Sequence, residues 1–182
     1  MHKVYGPHIS MLYAAPSALA RVQPLGHFFN PTNTLEHKLG LAGSNYELTS
    51  SIPSVLSYFS SAPIWQSIET HERELQSTLL NYLISHRKVV IFGEGDPDSK
   101  KRVSTISFVV EGRKSRDVVE EVDRLTGGKM GIRWGSFYSN RLIEEVLGLD
   151  PKDGVIRASM VHYNTGMFIF CDKCSMLIRI SG

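Results

Sequence analysis

The stretch from Ser67 to His86 restricts the fold of this chain more than any other. Leu75, Leu79, Leu80 and Leu83 recur at helical spacing, while Glu69, Glu72, Arg73 and Glu74 keep another face polar. A helix with one apolar stripe must bury it against a second element, and the downstream sequence supplies candidates. Lys88 to Phe92 reads as a buried strand, stopped by the turn-rich Gly93-Glu94-Gly95-Asp96-Pro97. Arg102 to Val110 is rich in β-branched residues and reads as a second strand. Ser115 is placed to cap the next helix, with Val118, Val119, Val122 and Leu125 on its inner face and Gly127-Gly128 at its end. Met130 to Trp134 reads as a third strand, Asn140 to Leu147 as a short helix and Val155 to Val161 as a fourth strand. This order suits a small sheet with helices packed on one face, an α+β domain within the α/β class.

The sequence upstream behaves differently. Pro7, Pro16, Pro24 and Pro31 interrupt any long helix, so residues 1–45 read as irregular or partly extended. From Glu47 a helical pattern carries Leu48, Ile52, Val55, Leu56 and Phe59, with Pro53 inside it to kink or begin the helix. The expected organisation is a first section, 1–66, belonging to a larger parent domain or an interface. A small domain, 67–165, and an atypical tail, 166–182, follow. The tail is apolar and β-prone, without helical periodicity.

Bulk properties exclude several classes. A net charge of +2 is too small to imply nucleic acid or an acidic membrane as partner. No apolar stretch is long enough to span a bilayer, and the N-terminus lacks the blocks of a secretory signal. Cys171 and Cys174 are the only cysteines, which excludes a disulfide framework and makes the cytoplasm the default compartment. One CxxC pair alone does not define a redox or zinc site. The seven histidines show no metal-binding spacing, and Gly93-Glu94-Gly95 lacks the rest of a phosphate loop.

Three side chains have open readings. Lys3 forms a Schiff base if it is buried with its charge suppressed, and is otherwise a solvated lysine. Arg133 and Arg157 lie among apolar strand residues, where an unpaired guanidinium is costly to bury. Each binds a carboxylate ligand, pairs with an acid of the fold, or reaches water on an open sheet face.

One resemblance joins these features. His2-Lys3-Val4-Tyr5-Gly6-Pro7, followed by Met11-Leu12-Tyr13, resembles the lysine loop of class V aminotransferases and cysteine desulfurases. Leu41-Ala42-Gly43-Ser44-Asn45-Tyr46-Glu47 resembles the family's Gly-Thr-Pro-Asn type loop. Arg102-Val103-Ser104-Thr105-Ile106-Ser107-Phe108 is similar to a core strand of the small domain, and Ile132-Arg133-Trp134-Gly135 to the Val-Arg-x-Gly segment beside the active site. Val155-Ile156-Arg157-Ala158-Ser159 through Tyr163-Asn164-Thr165 resembles the family's Arg-Ala-Ser…Tyr-Asn-Thr ending. The motifs fall in the family's own order over residues 2–165.

The resemblance implies the C-terminal portion of a fold-type-I, pyridoxal-phosphate (PLP)-dependent transferase: a cytoplasmic homodimer acting on a small amino-acid substrate. It implies Lys3 as the catalytic lysine that holds PLP, His2 at the cofactor phosphate, and Arg157 on the substrate carboxylate with help from Arg133. Aligned on Asn45, Gly43 takes the position of a phosphate-binding threonine with Ser44 beside it, so the hydroxyl is absent or shifted by one residue. The loop where a desulfurase carries its nucleophilic cysteine is Ser136-Phe137-Tyr138-Ser139-Asn140, without a thiol. The family's larger PLP-binding domain precedes the lysine loop, so the expectation is a truncated chain inactive alone, with a tail unrelated to the family. The alternative is a non-catalytic remnant or interaction module that exposes Leu12, Leu39, Leu41 and Phe59.

Overall fold

The computed structural model describes residues 6–24, 26–40 and 43–165. It divides into two compact units, Met1–Ile64 and Trp65–Gly182. The tail, with its CxxC pair, lies outside the described residues.

The first unit contains short helices: α1 (Pro16–Arg21) and α2 (Leu35–Leu39) where proline-broken, irregular chain is expected, and α3 (Tyr46–Ser50) and α4 (Ile52–Tyr58) where the helical pattern from Glu47 is expected. Pro16 and Pro53 each sit in the first helical positions, where the missing N–H is no loss. The Thr34 hydroxyl accepts from His37 N at 3.1 Å, and Asn45 Oδ1 from Leu48 N at 2.8 Å, capping α2 and α3. Lys38 Nζ donates to the carbonyls of Leu19 (2.7 Å) and Val22 (3.0 Å), closing the end of α1. None of these helices buries a residue. Leu12 and Leu39 are exposed as expected. Phe59 is half-buried instead, its ring edge-on to Tyr58 at 4.8 Å, and Leu41 lies outside the described residues.

A long helix, α5 (Ala62–Ile84), leads into the second unit. It starts before the expected Ser67 because Pro63 falls in its first turn, which needs no proline N–H. Four strands follow: β1 (Val89–Phe92), β2 (Thr105–Val110), β3 (Arg133–Gly135) and β4 (Val155–Ser159), with α6 (Ser115–Thr126) between β2 and β3. The spatial order is β1-β2-β4-β3, antiparallel throughout. Burial along β2 alternates strictly, with Ile106, Phe108 and Val110 facing inward. They share one apolar cluster with Leu80 and Leu83 of α5, Val118 and Val122 of α6, and Ile156 of β4. The helices therefore cover one face of the sheet, as the periodicity predicts.

Where boundaries differ from expectation, a named hydrogen bond accounts for most of the difference. Arg102 precedes β2, its guanidinium turned back to the carbonyls of Glu94 and Thr105. Burial holds it below the usual arginine range, and Glu94 opposes that shift. β4 stops at Ser159 because Asn164 Oδ1 captures the Val161 N–H at 2.8 Å. Ser115 does not cap α6: its hydroxyl donates to Gly154 O at 3.1 Å. Instead the Asp153 carboxylate accepts from Ser115 N (2.7 Å) and Arg116 N (3.2 Å). The expected helix after Asn140 is a single π-helical turn, Leu142–Val146, with Leu147 N bonded to Leu142 O at 3.0 Å. No helix among the described residues is long and apolar enough to cross a membrane.

Candidate functional site

Strand register decides which side chains meet on the face the helices leave open. Directly paired residues of an antiparallel ladder project to the same side. Phe92 pairs with Ser107, Ser107 with Arg157, and Arg157 with Arg133, so these four form a row across the whole sheet. The neighbouring row is polar too, with Thr105 Oγ1 and Ser159 Oγ 3.2 Å apart. The inward neighbours of Arg157, Ile156 and Ala158, are buried beneath the helices.

Two like charges directly opposite each other destabilise a sheet unless a counter-charge intervenes. Among the described residues no salt bridge involves either arginine. Arg133 is exposed. Arg157 is half-buried, and its Nε is inaccessible to solvent without a hydrogen-bond partner. A buried donor left unmade costs about 1–3 kcal/mol. The pair thus has two positive groups and, among the described residues, no acid partner, an arrangement completed by a carboxylate or other small anion.

The loop after β3 adds one contact. The Arg157 guanidinium lies over the Phe137 ring, 3.9 Å from its centroid. Phe137 and Tyr138 both hold left-handed backbone, at φ 49° and 63°. Such conformations cost about 1–3 kcal/mol each in non-glycine residues and persist only where surroundings enforce them. Here Ser136 Oγ donates to Pro151 O at 2.6 Å and Ser139 N to Ser136 O at 2.8 Å, fixing the turn. Gly135 and Gly154 meet at its base.

A separate apolar cavity of about 260 Å³ lies on the helix side of the sheet, lined by residues that include Leu75, Leu79, Phe108, Met130 and Met160. Neither arginine lines it. We place the candidate site at the arginines because charge and an unmet donor converge there, whereas the cavity offers mainly apolar surface.

The structure therefore brings Arg133 and Arg157 together. Gly43 and Ser44 are exposed in the first unit, and a Cβ at Gly43 would meet nothing within 4 Å. His2 and Lys3 lie outside the described residues. Sequence reasoning missed the contact of Phe137 with Arg157, for which a phenylalanine in a five-residue loop gives no local signal.

Comparison with known proteins adds a second line of observation. The sequence pattern of the aminotransferase class V family matches residues 1–167. An aminotransferase-like protein of Gibberella zeae is 48% identical over 166 residues, covering 90% of this chain and 40% of that protein. A cysteine desulfurase-like protein of Aspergillus flavus is 34% identical over 181 residues, covering 97% of this chain and 41% of that protein. The crystal structure of the cysteine desulfurase CsdA of Escherichia coli aligns with a TM-score of 0.72 at 21% identity, over 100% of this chain and 45% of that one. The chain thus spans about two fifths of the length of these curated relatives, and over that length it has the desulfurase fold.

Proposed function

Because this chain belongs to the class V aminotransferase family, we propose that it is part of a PLP enzyme acting on an amino acid, with Arg157 gripping the substrate carboxylate. The observation that carries the reading is the Arg133–Arg157 pair, side by side on the open sheet face without an acid partner among the described residues. The donor set suits the cofactor as well. Lys3 would hold it and His2 would take its phosphate, while the Gly43-Ser44 loop would reach the phosphate of the neighbouring subunit's cofactor. When bound, PLP supplies an electron sink for bond breaking at the substrate α-carbon.

The chain's own residues do the rest. Arg157 orients the amino acid through its carboxylate, and Arg133 adds positive charge beside it. Lys3 Nζ moves the proton at the α-carbon. The loop Ser136–Asn140 offers hydroxyls where attack on substrate sulfur needs a thiolate, which favours chemistry other than desulfuration. The reaction as a whole belongs to a protein longer than this chain, if its length matches that of its relatives.

Borohydride reduction of the chain in the presence of PLP, followed by peptide mapping, tests the reading. A stoichiometric pyridoxyl adduct confined to Lys3 is expected. Weak labelling spread over exposed lysines would overturn cofactor binding by this chain on its own and favour a second reading, an interaction module without cofactor. That alternative has its own support: α1–α4 bury no residue, while Leu12, Tyr13, Phe28 and Phe29 of the first unit are exposed.

A further inference from the structure

We propose that Phe137 is a positioning residue for the carboxylate site: its ring fixes the plane of the Arg157 guanidinium and keeps water off one face of it. The proposal rests on the reading of Arg157 as a carboxylate-binding group and adds how that group is held.

Arg157 rises from the middle of β4 on a long, flexible side chain. An arginine that binds a carboxylate through two parallel hydrogen bonds must present its donors in one plane. Side-chain partners ordinarily hold that plane, yet no described acid pairs with Arg157 and its Nε has no hydrogen-bond partner. The ring of Phe137 does contact it, with the guanidinium carbon 3.9 Å from the centroid, well inside the range of an attractive cation–π contact. A ring against the guanidinium face leaves the in-plane N–H donors to meet an anion. It also lowers the local dielectric, which strengthens whatever ion pair forms there.

The backbone shows that this ring position is enforced. Two consecutive non-glycine residues sit in the left-handed region, Phe137 at φ 49° and Tyr138 at φ 63°. The half-buried Phe137 ring lies against Arg157, while the Tyr138 side chain is fully exposed. The Ser136 hydroxyl on Pro151 O anchors the turn independently of either aromatic ring. A loop that merely linked β3 to β4 would have no need to hold a phenylalanine in that backbone conformation.

The test uses the ¹⁵N-labelled 182-residue chain titrated with sodium propionate as a carboxylate probe, with sodium chloride as the ionic-strength control. In the wild type, the Arg157 Nε–H proton should be displaced upfield by the ring beneath it. Phe137→Leu should return it to the ordinary arginine range and weaken propionate binding by about five- to tenfold. Phe137→Tyr, which keeps a ring, should preserve both readouts within about twofold. Arg157→Lys should abolish propionate-specific shifts.

The outcomes separate the two claims. If Arg157→Lys binds propionate like the wild type, or the wild type does not bind it, the carboxylate reading fails and takes this proposal with it. If Arg157→Lys loses binding while Phe137→Leu retains wild-type affinity, only the positioning role fails. Should Phe137→Leu not fold, the wild-type spectrum decides: an Arg157 Nε–H proton without upfield displacement overturns the contact itself.

Discussion

A methyl group added at Gly154 has nowhere to go. Its Cβ would lie 2.2 Å from the carbonyl carbon of Gly135, and its φ of +67° is already unfavourable for any other residue. Gly154→Ala should therefore lower stability by more than about 2 kcal/mol, read from the urea midpoint. Gly112 is the control: its φ is +78° but nothing lies within 4 Å of a Cβ there. Gly112→Ala should show only the conformational cost, about 1–2 kcal/mol. Equal losses at the two positions would mean that Gly135 and Gly154 do not touch. The arginines pose the opposite problem at this scale, since their surroundings admit a charge that the described fold does not neutralise. The sequence shows two arginines among apolar neighbours and leaves ligand, internal acid and solvent equally open. Only the β3–β4 register, which pairs residues far apart in sequence, puts them opposite each other.

Among the elements, α6 shows how a cap can come from outside its own segment. Ser115 has the right residue type and position for a local cap, but its hydroxyl bonds to Gly154 O, and Asp153 supplies the acceptor for the N–H groups of Ser115 and Arg116. Asp153→Ala should thus cost about 1–2 kcal/mol, seen as a lowered thermal midpoint, even though the residue lies outside the helix. A wild-type midpoint would return the capping role to Ser115. What local sequence carries well is periodicity and stop signals: the leucine stripe of α5, the inner face of α6, and Gly127 in the left-handed conformation at its end. What it carries poorly is any feature set by a distant partner. The start of α5 was hidden by Pro63, which breaks a helix interior but is harmless in a first turn. The length of β3 follows from the three residues that β4 offers it, and the Phe137 ring on Arg157 is a contact across two loops' worth of chain.

At the scale of the molecule, the two units differ in how they are held. The second contains every buried apolar residue of the described chain, from Leu75 to Ala158, whereas the helices of the first bury none. Local opening free energy follows buried contact, so hydrogen exchange should be strongly uneven. Amides of β2, β4 and the buried faces of α5 and α6 should be the slowest, and those of α1–α4 faster by orders of magnitude, as mass spectrometry of exchanged peptides would show. Uniform protection across both units would mean that the first unit is covered in solution by something, such as a second copy of the chain. The class V aminotransferase family match runs over residues 1–167 and so takes in both units.

The touching glycines at the base of the β3–β4 loop carry a consequence for how such proteins vary. With Gly135 against Gly154 and Ser136 tied to Pro151, the ends of the segment are pinned together before its tip is specified. Closing a ring is the costly part, and once it is closed a doubling of the enclosed length adds only about 0.6 kcal/mol. Insertions at the exposed tip around Tyr138 are therefore cheap for the sheet, whereas Ile143 further along the segment is buried and constrained, and the tip can acquire or lose a reactive group while the arginine-bearing strands stay as they are.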